Sequence, residues 1–206
     1  MRINSSRTNY VQQRNKPAFT SKPLFDVNIR KLDQSGEKAH LVPAQIVEFF
    51  REDKSDKIEI KRLLKDWNDT AYAKDIASDF LDKDYERQFL GVKTNDNKEI
   101  VSLAEVFLCP YRKFGNIITI QAAPNAEHNR PSRQYKGAGE VITYGINKLA
   151  QNTGVKELSV ISSSNDVYWQ KIIGMSPLND PWNGCVQNSK GMREFMGRVK
   201  TKYKIP

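Results

Sequence analysis

The stretch Gln134-Tyr135-Lys136-Gly137-Ala138-Gly139-Glu140 stands between a strand-like apolar run and a regular helical pattern. The N-terminus of a helix carries unpaired N–H groups and the positive end of its dipole, and glycines let an anion approach the backbone closely. Glycines before a helix are also ordinary loop residues, so the segment reads as an anion cradle or as a plain turn. Two phosphate motifs do not fit it. A P-loop needs Gly-Lys followed by Ser or Thr, whereas here the order is Lys136-Gly137 and no hydroxyl follows. A dinucleotide fingerprint needs a third glycine where Ile142 stands and a turn directly off the strand.

Downstream of the glycines, Gly139 to Ala150 reads as a helix with Ile142, Ile146 and Leu149 on one face and Asn152-Thr153-Gly154 as its stop. Leu158 to Ile161 is a short apolar strand. Asn165 or Asp166 is expected to cap a helix through Ile173, ended by Gly174 and Pro177, and Glu194 to Val199 to form a last strand.

Upstream, Ile117 to Ala122 reads as a strand, preceded by a pair at Phe89 to Val92 and Ile100 to Leu108 around the turn residues Asn95-Asp96-Asn97. Before them lie two helices. The first follows a capping-box spacing from Asp56 to Glu59, with Ile60, Leu63, Leu64 and Trp67 on one face; Asp69 or Thr70 caps a second, with Ala73, Ile76, Ala77, Phe80 and Leu81. Leu24 to Leu32 forms the first strand, and a shorter extended piece spans Leu41 to Phe49. The order β, α, α, β, β, β, α, β, α, β predicts one mixed α/β domain without internal repeats.

The run Gln134-x-x-Gly137-x-Gly139 resembles the Gln/Arg-x-x-Gly-x-Gly/Ala signature of the GNAT superfamily, the Gcn5-related N-acetyltransferases. Ile120-x-Ala122-x-Pro124 resembles the end of that family's fourth strand, and Asn165 through Gly174-Met175 its later Asn, aromatic helix and glycine. The resemblance covers residues 24 to 200 and is most specific over 117 to 175. It implies a mostly antiparallel central sheet splayed at the cofactor site and flanked by about four helices.

It also implies acetyl-CoA as co-substrate, no metal, and direct attack by a primary amine on the thioester. Main-chain groups of Ile120, Gln121 and Ala122 would pair with the pantetheine arm, and N–H groups from Gln134, Tyr135, Lys136, Gly137, Ala138 and Gly139 would hold the pyrophosphate. Arg133 could reach the 3′-phosphate, Asn165 the pantetheine side, and Trp169 or Tyr168 the departing sulfur. The pattern departs from the family at three places. Asn116 stands where some members carry a general-base Glu, so Glu105 on the neighbouring strand, acting through water, is the candidate base. Gln170 stands where members carry an acidic Tyr, which leaves Tyr168 for that role if the helix is irregular. The segment between Pro124 and Gln134, with His128 and Arg130, is longer than usual and reads as a lid, a cation source or a solvated loop.

Composition sets the frame. The 206 residues hold 38% apolar side chains, enough for a core, and the two cysteines, Cys109 and Cys185, are too few for a disulfide framework. No apolar run approaches the ~20 residues of a membrane helix, so a cytoplasmic protein without membrane partners is expected. The net charge of +9 invites a nucleic-acid reading. Five of those charges fall in residues 1–23 and five in 190–206, which leaves −1 for the body. The expected organisation is a mobile basic tail over 1–23, an acyltransferase-like domain over 24–200 and a basic tail over 201–206. The charged ends support a second reading, a catalytically weakened adaptor that binds RNA, the ribosome or an acidic protein.

Overall fold

A computed structural model of the chain describes residues 21–67, 69–70, 72–82, 86–128, 130–160, 165–179 and 184–206. Residues 1–20, nearly all of the expected N-terminal tail, lie outside the described residues, as does Ile161 at the end of an expected strand. Strands β1 (Lys22–Leu32) and β2 (Ala39–Phe49) form a long hairpin, followed by helices α1 (Lys54–Asp66) and α2 (Ala73–Leu81). Next come β3 (Gln88–Thr94), β4 (Ile100–Cys109) and β5 (Phe114–Ala122), and then the two-residue β6 (Tyr135–Lys136) and α3 (Ala138–Asn152). The chain finishes with β7 (Glu157–Val160), a π-helical segment (Val167–Ile173), β8 (Ser176–Pro177), β9 (Cys185–Asn188) and α4 (Ser189–Tyr203).

All nine strands join one sheet in the order β6-β1-β2-β3-β4-β5-β7-β9-β8. Pairing is antiparallel except between β5 and β7. The strands β2 to β5 run through the centre, which is why β3 and the first seven residues of β4 are buried almost throughout instead of alternating. Helix α3 lies against this sheet with Val141, Ile142 and Ile146 fully buried. Each such side chain contributes roughly 1.5–3 kcal/mol by leaving water, so α3 is held by its packing.

Three expectations are corrected. Helix α1 is capped by Asp53, whose carboxylate accepts from the Ser55 N–H at 2.9 Å; Asp56 lies inside the first turn, buried, and accepts from the Phe50 N–H at 2.7 Å. Helix α2 starts after Tyr72 without a side-chain cap, so neither Asp69 nor Thr70 caps it. Glu194 to Val199 belongs to helix α4, whose buried stripe Met192, Phe195, Val199 and Tyr203 has helical spacing once the Asn188 cap, bonded to the N–H groups of Lys190 and Gly191, is taken into account. The strand before it is β9.

Residues 201–206 are likewise no tail. Tyr203 and Ile205 are buried, and Asn28 of β1 donates to the carbonyls of Tyr203 and Lys204 at 3.0 and 2.9 Å. The C-terminal positive charge therefore lies on a packed helix. Among the described residues both cysteines are free, and no helix is long and apolar enough to cross a membrane.

Candidate active site

Strand β5 has two unlike edges. Towards β4 it pairs from Phe114 to Ala122. Towards β7 it pairs only through Phe114, Gly115 and Asn116. Val160, the next residue of β7, pairs with Cys185 of β9 and with nothing on β5. Beyond Asn116 the two strands part, and a cavity of about 230 Å³ lies in the gap, lined by Ile117, Thr119, Ile120, Val160, Trp169 and Tyr72 among others. At the point of parting, the Ser159 hydroxyl bonds the Asn116 side-chain oxygen.

The direction of the free groups follows from one hydrogen bond. Ala123 N–H donates to the Val101 carbonyl of β4 at 3.0 Å. In a planar trans peptide the carbonyl of Ala122 points the opposite way, into the gap. Strand alternation then turns both main-chain groups of Ile120 into the gap and those of Gln121 towards β4. Gln121 is thus excluded as a main-chain partner for an arm lying in the gap, and Ile120 and Ala122 remain. One residue earlier, Glu105 pairs with Thr119 and Val106 with Ile117, so Ile118 is the extra residue of a β-bulge. The apolar run Ile117-Ile118 gives no sign of that bulge in the sequence.

The glycine segment lies at the same end of β5. The N–H of Gln134 is used by the Asn125 carbonyl at 2.6 Å, and Tyr135 and Lys136 pair with Lys31 and Arg30 of β1. Antiparallel alternation after the Leu32 N–H bond to the Gln134 carbonyl turns the Lys136 N–H to β1 and the Tyr135 N–H away from it, so the first four expected cradle positions shrink to Tyr135 and Gly137. Gly137 is the N-cap of α3 with φ +81, a left-handed conformation that favours glycine. The first intrahelical bond is Val141 N–H to the Gly137 carbonyl, so Ala138, Gly139 and Glu140 present the unpaired N–H groups of the helix start. Both glycines also make room for a tyrosine: a Cβ on Gly137 would sit 1.7 Å from the Tyr203 hydroxyl oxygen, and one on Gly139 would sit 2.9 Å from that of Tyr168 and push it aside.

The remaining candidates separate. The segment Val167–Ile173 is π-wound, with Gly174 N–H bonded to the carbonyl of Trp169 at 3.0 Å. Trp169 faces the gap. The Tyr168 hydroxyl instead bonds Thr143 of α3 at 3.0 Å, and burial raises its pKa well above the ordinary tyrosine value. Asn165 caps this segment through its side-chain oxygen and the Tyr168 N–H at 3.0 Å. Glu105 is 1% exposed and paired with Arg87, which also bonds Asp79 at 2.7 Å. Burial raises its carboxyl pKa, and Arg87 opposes that rise. Arg133 donates to the carbonyls of Tyr135 at 2.9 Å and His128 at 3.3 Å, which ties down the long segment before the cradle.

The split, mostly antiparallel sheet is the one that the resemblance implies, while the element order differs from the expected one in the opening β1–β2 hairpin and the closing helix α4. The chain has a GNAT fold. Solved structures of GNAT enzymes are similar to it. A spermidine N-acetyltransferase chimera from Vibrio cholerae and human sequences is 10% identical over 73% of this chain and 98% of its own, with a TM-score of 0.49. A GNAT-family acetyltransferase from Staphylococcus aureus is 11% identical over 71% and 99%, at 0.46, and Tetrahymena Gcn5 is 10% identical over 64% and 85%, at 0.44. No family model and no curated protein matches the sequence. Within the GNAT fold the insertion 124–134 is latched to the α1–α2 connection: Arg130 bonds Glu127 at 2.5 Å and pairs with Asp69. It is therefore no free source of cations.

Proposed function

We propose that this chain is an acyl-CoA-dependent N-acyltransferase that moves an acetyl group from acetyl-CoA to a primary amine. The observation that carries this reading is the open edge of β5 beyond Asn116, which runs directly towards the glycine turn and the N-terminus of α3. A strand edge pairs with an amide-bearing arm through main-chain hydrogen bonds, and a helix start holds an anion. Coenzyme A joins those two chemistries in one molecule, and Ser102, paired with Ala122 and bonded to the Ala138 carbonyl at 3.4 Å, sets the two features side by side. Ile120 and Ala122 would pair with the pantetheine, and the N–H groups of Ala138, Gly139 and Glu140 would face the pyrophosphate.

The thioester carbonyl then lies near the bulge at Ile118. A neutral amine attacks it, the C–N bond forms, and the negative charge passes to the carbonyl oxygen. A main-chain N–H at the bulge is the donor placed to stabilise that oxyanion. The C–S bond breaks as the intermediate collapses, the amine gives up a proton, and the thiolate takes one. Glu105 shares the sheet face of its cross-strand partner Thr119 in the gap wall, so it can receive the proton through water. Tyr168 keeps its proton at neutral pH but sits against Thr143 and Gly139, which assigns it to packing beside the cradle; Trp169 is the aromatic nearest the sulfur. Most of the rate then comes from placement. The adaptor reading loses part of its support, because the C-terminal charges lie on a packed helix.

Calorimetric titration with acetyl-CoA tests the proposal, with Gly139→Val as the blocked control. Saturable 1:1 binding that the variant loses is the expected result. A wild-type chain that binds neither acetyl-CoA nor coenzyme A overturns it, and release of free thiol across a panel of primary amines then identifies the acceptor.

A further inference from the structure

Gln121 is 6% exposed, in a strand whose neighbours are mainly apolar, and its amide makes three hydrogen bonds. The side-chain oxygen accepts from the Tyr72 N–H at 3.1 Å, where the chain enters α2. The side-chain nitrogen donates to the carbonyl of Ala122 at 2.8 Å and to the Glu127 carboxylate at 3.0 Å. Glu127 in turn is held by Arg130, which reaches across to Asp69. A buried amide with both ends bonded is fixed in orientation, because turning it over would set two donors or two acceptors against each other.

Ala122 is the last residue of β5, and its carbonyl points into the gap. Beyond it the chain turns through Pro124 into the insertion. The ladder sets the direction of this final peptide through the Ala123 N–H on the Val101 carbonyl, and on the gap side, where no strand partners it, the Gln121 side chain holds its carbonyl. We infer, on the basis of the acyl-CoA reading above, that Gln121 is a positioning residue that sets the Ala122 carbonyl in line for the pantetheine arm, with Glu127 and Arg130 orienting its amide. The insertion thus serves the donor side of the reaction by bracing the strand edge.

The test separates the arm of coenzyme A from its nucleotide. Gln121→Glu keeps the shape and can still accept from Tyr72, but at about pH 8 it cannot donate to Ala122 and is repelled by Glu127. Acetyl-CoA and 3′,5′-ADP, which lacks the arm, are titrated into the full-length wild type and into Gln121→Glu, Glu127→Ala and Arg130→Met. The expected result is about tenfold weaker acetyl-CoA binding for Gln121→Glu, the value of one lost hydrogen bond, with 3′,5′-ADP unchanged. The loss should shrink from Gln121→Glu to Glu127→Ala to Arg130→Met. Equal weakening of both ligands, or none, overturns the inference. A thermal melt of each variant identifies misfolding, and Gln121→Met then supplies the same comparison without the added charge. If wild type binds no acetyl-CoA, the acyltransferase reading itself has failed; if wild type binds and the variants do not differ, only the role of Gln121 has.

Discussion

The two edges of β5 are made of the same residues and do opposite jobs. Towards β4 the ladder is continuous to Ala122, and peptide groups there are consumed in holding the sheet. Towards β7 it stops at Asn116, and the peptide groups beyond have no strand partner on that side. A free edge is made here by interrupting pairing inside a sheet, where flanking strands and helices still support the backbone. The exposed outer edge of a sheet would offer the same groups without that support.

Proline substitution separates the two edges most strongly. Gln121→Pro removes an N–H that β4 uses and also the bracing amide, and should cost well over 3 kcal/mol, enough to leave the chain unfolded by circular dichroism. Ile120→Pro removes an N–H that faces the gap, so it should leave a folded chain, with a lower melting temperature, that no longer binds acetyl-CoA. If both variants unfold alike, the directions assigned to the two edges are wrong.

Gly137→Ala strikes the turn beside the free edge. The strained φ and the collision with Tyr203 add to about 3 kcal/mol, read by urea denaturation. In a Tyr203→Leu background the collision is absent, and Gly137→Ala should cost only its strained φ.

Glu105 tests the paired side through pH. Burial lifts its carboxyl above the ordinary value of 4.5, so the folded chain holds the proton to higher pH than the unfolded chain does. Its contribution to stability is therefore greatest below that value and falls as pH rises through the folded pKa. Melting temperatures between about pH 4 and 8 should show a slope in the wild type that Glu105→Gln flattens. The smallest effect belongs to the exposed end of the strap: Asp69→Ala breaks a surface pair and should change stability by less than about 1 kcal/mol.

The sequence announced the helices and central strands wherever apolar spacing was regular. It pointed to the cradle through Gly137 and Gly139 and to the splayed strand through Ile120 and Ala122. It missed what depends on the third dimension. Nothing in Ile117-Ile118-Thr119 reveals a bulge, because every residue there favours a strand. Gln121 looked like a main-chain partner because the motif places it between two such partners; only the direction of Ala123 N–H shows otherwise. The stripe of α4 was broken by Gly191 and Gly197, so Phe195, Met196 and Val199 read as a strand. The motif begins at Gln134 and so points to Gln134 and Lys136 as phosphate ligands, whereas the long segment before them spends the Gln134 N–H on Asn125 and brings Lys136 to β1.

The π-wound segment Val167–Ile173 decides which aromatic faces the gap. A single π-turn is what one inserted residue leaves behind in an α-helix that keeps both ends anchored. Here the anchors are the Asn165 cap and Gly174, whose carbonyl neighbours Ile172 and Ile173 are held by Arg198 at 3.3 and 3.0 Å. Deleting Gln170 should rewind the segment as an ordinary helix and bring Trp169 four residues before the glycine. The aromatic facing the gap would then be chosen by chain length, one codon at a time.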